Sequence, residues 1–144
     1  MARTDVDPSW IGAILDFPGL WPLARLGLCA AYLLGGIVKL ADFPAAAAEQ
    51  AHFGLNPGWL WAAAAIVIEL VGSILVIAGR LVWLGAGALG VLTAIATLVA
   101  NPFWSVDGPA RVMIANTFFE HLGLIAGLVL VTLLAHRRSS GLRN

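Results

Sequence analysis

Four near-continuous apolar runs leave this chain few ways to fold. They cover about Trp21 to Leu40, Gly58 to Ala78, Leu81 to Ala100 and about Ile114 to Ala135. Each has the roughly 20 residues that a helix needs to cross a bilayer core about 30 Å thick. Strands that cross membranes alternate apolar and polar residues, and these runs do not alternate. Composition points the same way: 60% of the residues are hydrophobic and 11% charged, against about 45–50% and about 25% in soluble domains. Eight basic and eight acidic side chains cannot cover a soluble globule of this size. Disorder is excluded as well, because it requires low hydrophobicity and high charge. The zero formal net charge gives no sign of a nucleic-acid partner. The single cysteine, Cys29, excludes an intramolecular disulfide.

The expected fold is therefore an all-α membrane protein, an antiparallel four-helix transmembrane bundle in contact with the lipid bilayer. Residues 1–19 form a short N-terminal interfacial segment, since Trp10 to Leu15 is too short for a secretory signal core. Residues 20–136 form the four-span domain, and 137–144 a basic tail. Between spans one and two, Asp42-Phe43-Pro44 and the alanine run after it predict a short external helix with proline at its first position. Trp21, Trp59, Trp61, Trp83 and Trp104 fall at span ends, as an interfacial belt requires. Both termini and the turn between spans two and three share one side. That side carries Arg3, Arg80, Arg137, Arg138 and Arg143, against Lys39 and Arg111 on the other. An excess of basic residues marks the cytoplasmic side, so both termini are expected in the cytoplasm.

Membrane helices associate through small residues and interhelical hydrogen bonds. The expected packing stripes are Gly27, Ala31 and Gly35 on the first span, and Ala65, Glu69, Gly72 and Ser73 on the second. The third offers Ala86, Gly90 and Ala94, the fourth Gly123 and Gly127 with Glu120 on the same face. Polar residues form stripes too. Arg25, Cys29, Tyr32, Gly36 and Lys39 are spaced four, three, four and three, and Thr93, Thr97 and Asn101 line the third span. His121 is rotated about 100° from Glu120, beside Leu124 and Leu128.

Glu69 is the most demanding residue. It lies eleven residues into its span, about 16 Å deep, where an ionised carboxylate costs about 2.5–3.5 kcal/mol. It is either protonated or partnered, and Arg25, Tyr32 and Thr93 are the candidate partners within reach in an antiparallel bundle. Arg25 and Lys39 lie near span ends and can snorkel; Lys39, Arg111 and Glu120 form an expected outer-leaflet ion-pair cluster. Arg25, Tyr32, Lys39, Glu69, Thr93, Thr97, Asn101 and Glu120 are thus the candidate ligand or pocket residues. His52, His121 and His136 lack paired metal spacing, and no haem or metal ligand set is evident. No catalytic residue can be named.

Several motifs resemble one known family. Leu23-Ala24-Arg25 leading to Gly35-Gly36-Ile37-Val38-Lys39-Leu40, Glu69-Leu70-Val71-Gly72 closing on Gly79-Arg80, and Asn101-Pro102-Phe103-Trp104 followed by Phe118 to Gly127 are similar to the signatures of the DoxX family, over roughly residues 20–135. Many members carry histidine where Asn101 stands and Lys-Asn where Glu120-His121 stands, so the charge on the fourth helix is reversed here. Some members are small membrane subunits of thiosulfate:quinone oxidoreductase, and others are associated with membrane redox or oxidative-stress complexes. The resemblance implies a bacterial-type inner-membrane protein, an accessory or anchor subunit beside a redox-enzyme partner, with quinone as the cofactor in question and little catalysis of its own. The alternatives are a small-molecule carrier, for which a homo-oligomer would enclose the pathway, and a structural membrane assembly factor.

Overall fold

The computed structural model describes residues 8–141; Arg3, Arg143 and the outer parts of the two terminal segments lie outside the described residues. A short helix, Ser9–Leu15, precedes the first span, Leu20–Ala41. The external helix follows as Phe43–His52, with the Asp42 carboxylate accepting a hydrogen bond from the Ala45 N–H at 3.1 Å. Phe43 is its first residue and Pro44 its second, so the proline stands one place later than expected; its missing N–H costs nothing there. The second span runs Gly58–Ala78, the third Val82–Ala100, and the fourth Pro109–Gly141. All four expected spans are present, in an all-α chain without strands among the described residues.

The fourth span is longer than its apolar run. Gly108, at φ 75°, turns the chain, and Pro109 opens a helix that takes in the polar residues Arg111, Arg137 and Arg138. At 33 residues it is about 50 Å long, so its ends project past the apolar core of a bilayer. The second span also departs from expectation. Its middle, Ile68–Gly72, is a π-helical turn with Glu69 inside it, a wider turn of a kind that recurs at functional sites.

The inside of the bundle mixes apolar residues with a few buried polar ones, Glu69, Ser73, Thr93 and Thr97, while the outside is almost wholly apolar. Cys29, Tyr32, Val76, Val82, Ala86, Leu89, Leu128 and Val131 form the core. Leu34, Leu60, Val91, Leu98, Val129 and Leu130 are exposed, which suits lipid as the solvent. The second span packs on the first and third, and the fourth packs mainly on the third. Two expected stripes are corrected. Gly27 and Ala31 face outward, with nothing within 4 Å of a Cβ placed on Gly27; the first span turns its polar stripe inward instead. On the fourth span Glu120 and Gly123 are exposed, while His121, Leu124, Leu128 and Val131 point inward. That set recurs every three or four residues, as one helix face must.

A close backbone approach joins spans two and three. A Cβ on Gly85 would stand 2.6 Å from the Gly72 carbonyl oxygen, and one on Gly72 would stand 3.2 Å from that of Gly85. Neither backbone can swing away as a side chain would. Gly85→Ala is therefore expected to destabilise the protein by about 1–3 kcal/mol, the usual cost of overpacking. Gly87→Ala, on the same helix with nothing within 4 Å, should be neutral or slightly stabilising. Thermal unfolding of the two variants in detergent checks the pair.

Candidate functional site

The first span supplies three polar side chains at heptad spacing, Arg25, Tyr32 and Lys39, each bonded to a different level of the bundle. Seven residues of helix rise about 10.5 Å, so the three bonds lie at successive depths. At the terminus side, Arg25 Nη1 donates to the Val76 carbonyl at 3.2 Å, and its guanidinium lies 5.1 Å from the centre of the Trp21 ring. Gly79 makes room for it: a Cβ there would overlap Arg25 Nη1. Gly79 also ends the second span in the left-handed region, at φ 72°, where glycine is unstrained.

The middle bond joins Tyr32 to Thr93. Their oxygens are 2.7 Å apart, and Thr93 Oγ1 also donates to the Leu89 carbonyl at 2.7 Å. Threonine has one hydroxyl proton to give, so the Tyr32 hydroxyl is the donor of the pair. Deeper toward the external helix, Thr97 Oγ1 meets His121 Nδ1 at 2.7 Å, a bond that fixes the inward face of the fourth span.

The third bond is the salt bridge. Lys39 Nζ lies 2.8 Å from Glu69 Oε1 and 3.0 Å from Oε2, with side chains 22% and 11% accessible. This corrects the expected partners of Glu69: Arg25, Tyr32 and Thr93 are all bonded elsewhere. It also replaces snorkelling at Lys39. Side chains on a helix tilt toward its N-terminus. Lys39 ends an ascending helix and leans down into the bundle; Glu69, on the descending neighbour, leans up. Gly35 and Gly36 open the space between them. A Cβ on Gly35 would stand 3.3 Å from Lys39 Nζ and 3.4 Å from Glu69 Oε2, and one on Gly36 would stand 3.3 Å from Glu69 Cβ.

The expected outer ion-pair cluster does not form. Arg111 and Glu120 are exposed, and Lys39–Glu69 is the one salt bridge among the described residues. Asn101 follows the third span as its C-terminal cap, half-buried.

A cavity of about 210 Å³ opens beside the ion pair. Lys39 and Glu69 line it with Ala65, Leu92, Ala96 and Val99 from spans two and three, and Glu49, Gln50 and Phe53 from the external helix and its end. Of the eight candidate residues, the structure brings Lys39 and Glu69 to this cavity; Tyr32, Thr93 and Thr97 are used in packing bonds. Glu49 and Gln50 were missed. The available signal was their place as the polar pair of an otherwise alanine-rich helix. An aromatic cluster holds the far corner: Phe103 lies edge-on to Trp104 and Phe118, with ring centres 5.3 and 5.2 Å apart. It ties the loop after span three to the start of span four.

Fold and site together describe a multi-pass membrane protein with a buried ion pair beside a small cavity. The DoxX family model matches residues 20–102, and the chain belongs to that family. The matched region takes in the whole of the Lys39–Glu69 site, whereas the Phe118–Gly127 likeness lies beyond it. No curated protein and no solved structure matches the chain.

Removing one partner of a buried pair strands the other charge, at about 3–5 kcal/mol when burial is complete. With Lys39 partly accessible, Lys39→Met is expected to cost about 3 kcal/mol. Glu69→Gln should cost less than Lys39→Met, because the remaining lysine can snorkel. The double variant Lys39→Met/Glu69→Met should regain most of the loss. Chemical unfolding of all three in one detergent measures the ordering.

Proposed function

We propose that this DoxX protein is an accessory or anchor subunit of a quinone-linked redox complex in a bacterial-type inner membrane, and that the cavity beside Lys39 and Glu69 receives the quinone head group. The observation that carries this reading is a charged pair kept at membrane depth with a cavity at its side. An isolated charge there costs about 2.5–3.5 kcal/mol, and a buried ion pair is weak evidence for stability, so its retention needs another reason. The cavity, about 210 Å³, is below the roughly 300–1,000 Å³ of drug-sized sites. It suits a single ring with its tail left in lipid. Lys39 offers an ammonium donor to a quinone carbonyl, Glu69 an acceptor for a hydroquinone hydroxyl, and Leu92, Val99 and Phe53 an apolar wall. The chain serves the partner that carries the redox centre. The termini face the cytoplasm, in keeping with the arginines around Arg80, Arg137 and Arg138.

A small-molecule carrier is the second reading, favoured by the π-helical turn at Ile68–Gly72, which gives the second span a local irregularity at Glu69.

Mild-detergent purification is expected to bring down a cofactor-bearing subunit. In that complex Glu69→Gln should raise the KM for quinone about tenfold or more, the equivalent of about 1.5–3 kcal/mol for a hydrogen bond to a charged group. A chain that purifies alone, with quinone-linked membrane activity indifferent to Glu69→Gln, contradicts the proposal. Solute uptake by proteoliposomes that Glu69→Gln abolishes would establish the carrier instead.

A further inference from the structure

A second opening lies at the other end of the bundle, where Leu20, Trp21 and Ala24 of the first span line it, and it is independent of the quinone reading. It is a cleft of about 690 Å³ between the elbow after the N-terminal helix and the end of the fourth span. Its walls include Leu15, Phe17, Leu20 and Leu134, all exposed. Trp21 and Arg138 are also in the wall, and Asp16 lies in the lining as its acidic member.

Two guanidiniums share the indole of Trp21. Arg138 lies 4.8 Å from the ring centre and Arg25 5.1 Å. Among the described residues neither has a carboxylate within salt-bridge distance, Asp16 included. Arg25 Nε is buried and has no hydrogen-bond partner among the described residues. Two like charges are thus held on one aromatic ring with no counter-charge among the described residues, at the level where interfacial tryptophans sit. Repulsion between them favours an anion nearby. The cleft beside them has an apolar wall continuous with the lipid-facing surface. A soluble anion would leave that wall unused, whereas a phospholipid matches both parts: phosphate against Arg138, acyl chain along Leu20, Leu134 and Phe17. Basic sites between membrane helices are a recurrent way of holding anionic head groups.

We infer that the cleft around Trp21 and Arg138 is a binding site for an anionic phospholipid in the leaflet on the terminus side. Asp16 tempers the site as the acidic group in the lining among the described residues.

The test uses the full chain in detergent, with phosphatidylglycerol, phosphatidylcholine and inorganic phosphate as probes. Binding is read by the upward shift in Tm and by the lipid retained after purification. Phosphatidylglycerol is expected to stabilise the wild type well above phosphatidylcholine, and inorganic phosphate to give no shift. Arg138→Gln, at an exposed site near a helix end, should weaken phosphatidylglycerol binding about fivefold, while Asp16→Asn should retain more of it. Glu69→Gln should keep the lipid preference, which separates this site from the cavity above. Equal stabilisation by the two lipids, an unchanged preference in Arg138→Gln, or a shift of the same size with inorganic phosphate would overturn the inference.

Discussion

A charge within the hydrocarbon depth of a membrane has to be neutralised, bonded or brought to the surface. In this chain the Lys39–Glu69 salt bridge does the bonding, and much of the surrounding structure follows from it. The two residues meet because antiparallel helices tilt their side chains toward their own N-termini. A lysine at the end of one span and a glutamate in the middle of the next therefore lean toward each other. Gly35 and Gly36 keep the gap open for the carboxylate. The π-helical turn at Ile68–Gly72 contains Glu69, and the external helix, placed by the Asp42 cap, adds Glu49 and Gln50 to the cavity beside the pair.

Packing elsewhere follows the logic of a solvent that resembles leucine. Apolar side chains gain little by turning inward from lipid, so many large ones stay outside. The inside is filled by Cys29, Ala86, Leu89 and Leu128 and by specific polar bonds. The first span acts as the polar spine: Arg25, Tyr32 and Lys39 bond in turn to spans two, three and two. Spans three and four are joined by Thr97–His121 and by the aromatic cluster around Phe103. These bonds set the rotation of each helix, which hydrophobicity alone leaves undetermined.

The four spans were legible because length and apolarity are sufficient to define them; their rotation was less so. Glu69 stood out as a carboxylate at mid-depth, and the polar stripe of the first span was readable from its spacing. Its partner is harder to read because Lys39 lies near a span end, where snorkelling is the default; the signal for the pair is the downward tilt of a side chain at a helix C-terminus. Gly27 and Ala31 looked like a packing face because small residues mark close helix contacts, yet this surface meets no other helix of the bundle. On the fourth span the GxxxG pair drew attention to Glu120, while the periodic set His121, Leu124, Leu128 and Val131 carried the inward face. The cavity is not legible in the sequence, since it depends on where the external helix packs against span two.

An ammonium and a carboxylate meet below the membrane surface in this structure, and the direct measurement is their separation in lipid. Solid-state NMR of protein labelled at the lysine Nζ and the glutamate carboxyl carbon, reconstituted in bilayers, reads the dipolar coupling between Lys39 and Glu69. The structure predicts a strong coupling, in keeping with the 2.8 Å between Nζ and Oε1, and its loss in Glu69→Gln protein labelled in the same way. A wild-type lysine signal in free exchange with bulk water, with no coupling to the carboxyl carbon, would contradict it.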